Sequence, residues 1–414
     1  MKKSIKNDFE NLEEVESILI SKNQNLVRNA SLYAFLRPLL FKNISGKNEH
    51  AAINLNSIVF QFIFLPITFF KVFLRLFFYK NTGLVFCTER KNEQGKCRYI
   101  STLPSLENSQ NIVLRYSFNH FPKVFERAID IAPFIIFLKF FSRFGFLKRS
   151  PREFLTELSE IYKKKYNLNL ISLLEKKSLE FFFLESFFKI LLFVFSPKRV
   201  IFVSNNFFIP LITISKEKEI PSYEIAHALM NKYHPSYSYN YFIKKPFYPD
   251  FLIESKLAFN FDSRPFSYKK IIFTEGRKKI NKDINKLKAE YRTPRKMFYS
   301  DLFNLNNKKI LVIGQGGPTD ELLLKKIYPH LGSNKNKITF REHPSSKGKI
   351  NKDIFFVSKK SLEDDLKDND IIISNFSHVI MLAYLYNKDI YAIDDYWYDA
   401  LDSMKISYNK LNND

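Results

Sequence analysis

Near the end of this chain, runs of nearly continuous apolar residues recur at short intervals: KILVIG (309–314), KITFRE (337–342), DIFFVS (353–358), DIIIS (370–374) and DIYAID (389–394). Between them lie stretches with helical spacing at 319–328, 361–367 and 377–387. A strand that is apolar on both faces must be covered on both faces. A strand–helix–strand rhythm of such segments builds a parallel sheet with helices on either side.

The first half carries a weaker version of the same rhythm. RVIFVS (199–204) reads as a buried strand, NFFIPLITISKEKEI (206–220) as its crossover helix, and SYEIAHA (222–228) as the next strand. DFLIES (250–255) and KKIIFTEG (269–276) add two strands, followed by a charged helix at 278–290. Upstream, GLVFCT (83–88) and CRYIST (97–102) are β-rich runs with NEQG as a turn between them, and NIVLRYS (111–117) follows. Pro151 opens a helical stretch reaching residue 195. Residues 291–308 are polar and aromatic, which reads as an interdomain linker. At 414 residues the chain exceeds one ordinary core. The expected division is a helical, membrane-associating segment (1–80), an N-terminal parallel-sheet domain (81–300) and a C-terminal one (301–414), the two sheets facing a cleft.

The charge restricts the partners. A net charge of +23 calls for something acidic: nucleic acid, anionic lipid or a phosphorylated substrate. The lysines are spread along the chain, and neither a zinc-ligand spacing nor an RNA-binding signature occurs, so no nucleic acid partner is expected. Two cysteines, Cys87 and Cys97, fit a reducing compartment better than a disulfide framework. The charged start MKKSIKND lacks the apolar core of a signal peptide, so a cytoplasmic location is expected. Three stretches mix Phe and Leu with Lys or Arg: 58–78, 134–149 and 181–195. The first reads as an interfacial helix on an anionic membrane surface, a true span being the alternative that Gln61, Pro66, Lys71 and Arg75 oppose. The third reads as a core helix.

In an open parallel sheet, ligands bind outside the carboxyl ends of the strands. Four clusters fall there. Gly314, Gln315, Gly316 and Gly317 lie between a strand and a helix, where backbone amides and a helix N-terminus attract an anion; a tight turn with Pro318 at the first helical position is the structural alternative. Arg341 and His343, in REHP, place a guanidinium fork and an imidazole at a strand end closed by Pro344. Ser374, Asn375 and Ser377 precede the next helix, where one caps it and the others offer donors to a phosphate. In YEIAHALMNKYHPSY (223–237), strand alternation puts Glu224 on one face and His227 on the other, with His234 in the following loop. A His or Glu there can act as general base. His227 and His234 lack a third ligand, so no metal is expected, and no nucleophile elbow of the G-x-S-x-G kind occurs.

These clusters, in this order, resemble bacterial polysaccharide glycosyltransferases of the two-Rossmann, GT-B type, among them sialyl-, polysialyl-, Kdo- and glycerol-phosphate polymer transferases. Their N-terminal E-x-Q-H-G and H-x-x-Y motifs match Glu224, His227, His234 and Tyr237; their basic-x-H-P motif matches Arg341 and His343; their serine turn matches 374–377. The Q-H-G triplet is A-H-A here, with Ala226 and Ala228. The resemblance implies a metal-independent enzyme with no cofactor. A nucleotide-sugar donor, CMP-linked by preference, would bind Arg341, His343, Ser374, Asn375, Ser377 and the 314–317 turn. Glu224, His227 and His234 would be catalytic, with Tyr237 on the acceptor side. The acceptor would be a growing glycan, lipid-linked, of capsule or lipooligosaccharide. A glycerol- or ribitol-phosphate transferase of the same fold and a non-catalytic, membrane-associated relative are the alternatives.

Overall fold

The computed structural model describes residues 4–22, 29–46, 65–66, 68, 70, 83–88, 111–116, 129–131, 133–135, 151–203, 205–225, 232–238, 248–254, 270–273, 291–298, 302, 308–314, 318–327, 338–342, 356–374 and 378–412. Two helices open the chain, α1 (Ile5–Lys22) and α2 (Ala30–Ile44). The first domain then runs β1 (Gly83–Thr88), β2 (Asn111–Tyr116), β3 (Ile129–Asp130), α3 (Arg152–Tyr166), α4 (Ile171–Phe195), β4 (Arg199–Val203), α5 (Asn205–Glu217), β5 (Ser222–Ile225), β6 (Phe251–Glu254) and β7 (Lys270–Phe273). The second comprises β8 (Arg295–Phe298), β9 (Ile310–Ile313), α6 (Pro318–Ile327), β10 (Ile338–Arg341), β11 (Phe356–Val357), α7 (Leu362–Asp368), β12 (Ile371–Ser374), α8 (His378–Leu385), β13 (Asp389–Ala392), a short 3-10 turn, α9 (Tyr398–Ser403) and β14 (Asn409–Asn412).

The strands form two seven-stranded sheets, ordered β3-β2-β1-β4-β5-β6-β7 and β11-β10-β9-β12-β13-β14-β8. Every pairing in both is parallel. The protein is therefore α/β, with two Rossmann-like domains preceded by helices. The apolar runs behave as their composition requires: β9 and β12 are buried at every residue, and β4 at all but its first. In the first sheet one face presents Leu84, Phe86, Val200 and Phe202 to α4 and α5, and the other gathers Val85, Ile201, Val203, Ile225 and Ile253.

Several expectations need correction. The 291–308 stretch is not a plain linker. Its residues 295–298 form β8, which pairs with β14 at the edge of the second sheet. Its Arg-Lys-Met-Phe sequence is mostly exposed, and charged residues of this kind are how edge strands resist pairing with other chains. The stretch at 181–195 is a core helix as expected, burying Phe181 to Leu184, Phe187, Phe188, Leu191, Leu192 and Phe195, with Ile190 and Phe193 standing in solvent. The opening helices share a core with the rest of the molecule: α1 and α2 bury Phe9, Leu12, Val15, Tyr33 and Leu36 in one cluster with Leu155, Leu158, Phe181 and Ile209, and with Tyr396 and Ala400 from the end of the chain. Tyr396 donates to Asp8 across 2.9 Å, tying the last helical segment to the first helix. Expectations for CRYIST, the 278–290 helix and most of 58–78 and 134–149 lie outside the described residues. No helix among the described residues is long and apolar enough to cross a membrane.

Candidate functional site

In the second sheet the chain leaves β9 toward β10 and β11, then returns to place β12 on the other side of β9. The carboxyl ends of β9 and β12 thus flank the topological switch point, where such sheets open a crevice. Register pairs Ser374 with Ile313 and Arg341 with Ile313, so Gly314, Arg341 and Ser374 converge at one edge. Ser374 is fully buried at the last position of β12, four residues before α8, and its Oγ has no hydrogen-bond partner among the described residues. A buried hydroxyl left unpaired costs about 1–3 kcal/mol.

Gly314 is explained by packing. A Cβ there would lie 2.9 Å from Asp320 Oδ2, 3.0 Å from Phe340 Cζ and 3.2 Å from the Arg341 carbonyl. Its amide donates to that same carbonyl at 2.9 Å, which fastens the turn to β10. Asp320, 4% exposed in the first turn of α6, is a buried carboxylate that sequence reasoning passed over; its position favours it through the helix dipole.

Arg341 carries a structural duty. Its Nη1 donates to Asp365 Oδ2 at 2.5 Å and to the Lys360 carbonyl at 2.8 Å. Asp365 is 2% exposed and also accepts from Ser358 Oγ at 2.6 Å. A buried carboxylate at the head of α7 needs a counter-charge, and Arg341 supplies it. A free phosphate fork at this position, as expected from sequence, therefore has one nitrogen already engaged. His343, Asn375, Ser377, Gln315, Gly316 and Gly317 lie outside the described residues.

In the first domain, Glu224 ends up fully buried beside Phe202 and Leu252 and accepts from Tyr237 Oη at 2.5 Å. It faces the protein interior rather than open solvent, because β5 turns that side toward packed structure. His227 lies outside the described residues. Residues His234 to Tyr237 form a tight turn held at several points. The Tyr237 amide donates to the His234 carbonyl at 3.0 Å, and the Tyr237 carbonyl accepts from Tyr248 Oη at 2.9 Å. The His234 ring lies 4.7 Å from the Tyr237 ring. The Ser236 amide donates to His234 Nδ1 at 3.2 Å, which selects the tautomer with its proton on Nε2.

The turn's anchor comes from the N-terminal helices. Arg37 Nη1 donates to the Pro235 carbonyl at 2.5 Å. The rest of the guanidinium is bound by Glu16: Nε to Oε1, and Nη2 to Oε2 at 3.1 Å. Tyr33 adds a bond to Glu16 at 2.9 Å, and Phe9 stacks 5.2 Å from the guanidinium. Arg37 and Glu16 are both 0% exposed. Burial and the Glu16 charge push the Tyr33 phenol well up, so it stays a donor. No sequence signal marked this group, since its members lie on separate helices. The first sheet has its own switch point between β1 and β4, and Asn205, opening α5 directly beyond β4, stands there unnoticed by motif reading. Among the described residues no three His, Cys, Asp or Glu side chains gather as metal ligands.

No protein-family model and no curated protein sequence matches the chain. Similar solved structures include the spinosyn rhamnosyltransferase SpnG complexed with spinosyn aglycone, at TM-score 0.38 and 9% identity over 79% of this chain and 86% of that one. The UDP-GlcNAc 2-epimerase of Methanocaldococcus jannaschii, with UDP-GlcNAc and UDP, aligns at TM-score 0.40 and 11% identity over 80% and 89%. The Streptomyces sp. SF2575 glycosyltransferase SsfS6, complexed with thymidine diphosphate, aligns at 0.38 and 14% over 80% and 87%.

Proposed function

We propose that the protein is a metal-independent glycosyltransferase that moves a sugar from a nucleotide-activated donor to a growing surface glycan. The preferred donor is a CMP-sugar, and the acceptor is a capsule or lipooligosaccharide chain carried on lipid at the inner face of the cytoplasmic membrane. The observation that carries the reading is the buried, unpartnered hydroxyl of Ser374 at the switch point of the second sheet, beside the turn that follows β9.

In this reading the donor's phosphate sits over the N-terminus of α8. Ser374 Oγ, the 375–377 segment and the 314–317 turn donate to it, and His343 and Arg341 flank it. The helix N-terminus and these donors stabilise the negative charge that grows on the departing phosphate. His227, just beyond β5, takes the proton from the acceptor hydroxyl as that oxygen attacks the anomeric carbon and the bond to phosphate breaks. Glu224 and Tyr237 do not touch the acceptor; they hold the loop around His227 and His234 in place.

The test is a thermal-shift panel with CMP, CDP, UMP, UDP, GDP and dTDP, since a ligand of the native state raises the melting temperature by mass action. A shift with the cytidine nucleotides alone is expected, lost in His343→Ala and unchanged in His227→Ala. Both variants are expected to lose sugar transfer while melting near the wild-type temperature. A shift confined to UDP, GDP or dTDP moves the donor class. No shift with any nucleotide overturns the transferase reading in favour of a non-catalytic protein.

A further inference from the structure

The helix α4 ends with one face in the core and the other in water. Phe187, Phe188, Leu191, Leu192 and Phe195 pack into the first domain, whereas Ile190, Phe193 and Val194 are 58%, 77% and 38% exposed. Positions i, i+3 and i+4 share a helix face, so these three make a single apolar tip. The core does not need them, and residues this apolar are a cost in water.

The tip has cationic neighbours in the chain. Lys189, one residue before Ile190, is exposed, as are Lys198 and Arg199 just past the end of the helix. From Phe181 to Lys216 the chain contains one carboxylate, Glu185, and that is paired with Lys189 at 3.0 Å. An exposed aromatic and aliphatic tip followed at once by the exposed cations Lys198 and Arg199, on a chain of net charge +23, matches the interface of a bilayer containing anionic lipid. A second copy of the chain fits less well. A two-fold dimer would set the same patch against itself and bring two basic segments together.

We propose that this face, formed by Lys189, Ile190, Phe193, Val194, Lys198 and Arg199, is a docking surface for an anionic lipid bilayer. The inference rests on the proposed action at a membrane for its purpose and supplies the surface that reading requires. The location suits it. The end of α4 leads through Pro197 directly into the first residue of β4, at the amino edge of the sheet. The first sheet's switch point belongs to the carboxyl edge, and the five residues of β4 separate the two edges by about 13 Å. Docking at the amino edge leaves the carboxyl edge open.

The experiment is co-sedimentation of the full chain with vesicles of phosphatidylcholine alone and of phosphatidylcholine mixed with phosphatidylglycerol, at low and high salt. The wild type is expected to bind the phosphatidylglycerol vesicles in a salt-sensitive manner. The double variant Ile190→Ser, Phe193→Ser and the pair Lys198→Glu, Arg199→Glu are each expected to weaken that binding about tenfold or more. Melting temperature and nucleotide shift should stay at wild-type values in the serine variant. Equal binding by wild type and variants, or no binding by the wild type, overturns the proposal. So does a wild-type dimer that Phe193→Ser dissociates. A wild type that binds vesicles but no nucleotide upholds the docking surface and fails the transferase reading, so the two are separable.

Discussion

Ser374 is the residue at which the proposed donor site and stability make opposite demands. Its hydroxyl is buried without a partner, so replacing it with Ala removes an unsatisfied group and leaves packing nearly intact. The Ser374→Ala protein is expected to be more stable by about 1 kcal/mol, read by denaturant unfolding, and to lose its thermal shift with nucleotide. A merely structural serine would give the opposite stability result, and an unchanged nucleotide shift would remove Ser374 from the donor site. Arg341 is the complementary case. Motif reading gave it to phosphate alone, but its Nη1 is bound to Asp365 and the Lys360 carbonyl. Gly314 likewise answers to Asp320 and Phe340, whose closeness excludes a side chain, as well as to any anion beyond it.

Among elements, the informative relationship is between α1, α2 and the turn at 234–237. A buried Arg37–Glu16 pair reaches from the helices to the Pro235 carbonyl, and the same turn carries the Tyr237 that bonds Glu224. Removing one partner of a buried ion pair strands the other charge, at a cost of about 3–5 kcal/mol. Arg37→Met is therefore expected to lower unfolding free energy by that order, measured in urea. The double variant Arg37→Met, Glu16→Leu should recover most of the loss, because no lone charge remains. If the single variant is as stable as wild type, the helices do not anchor the turn. The edge strand β8 shows the limit of pattern reading at this scale. Its residues are exposed and basic, so no apolar period announces a strand, and only pairing with β14 makes it one.

Across the whole molecule, several buried tyrosines beside carboxylates share one titration behaviour. Burial, and then neighbouring carboxylates, push the phenols of Tyr33, Tyr396 and Tyr408 above their usual value, and Tyr291, beside Asp402, is pushed up to about 12. The sign follows from linkage. Near pH 10 the unfolded chain loses phenolic protons that the folded chain keeps, so the native state binds more protons and stability falls as pH rises. The contribution is fully present below about pH 10 and is lost progressively above it. Tyrosinate absorbance and far-UV circular dichroism should change together in one alkaline step. Tyrosinate forming well before the loss of ellipticity would mean that these phenols are open to solvent. Because Tyr396 bonds Asp8 on α1, this step should also release the end of the chain from its beginning.

The runs ILVI, IIIS and RVIFV, read alone, required parallel strands covered on both faces, and those strands carried their ends, and so the neighbourhood of Gly314, Arg341 and Ser374, with them. Period and composition are local properties, so a local reading recovers them. What the tertiary structure decided was which side chain meets which. Arg341 meets Asp365 across 24 positions, Glu224 meets Tyr237 across 13, Arg37 meets Pro235 across 198 and Tyr396 meets Asp8 across 388. It also decided that Ile190 and Phe193 of the 181–195 helix stay in water while their neighbours enter the core. These outcomes depend on the crossing of elements distant in sequence, and no pattern within one segment encodes them.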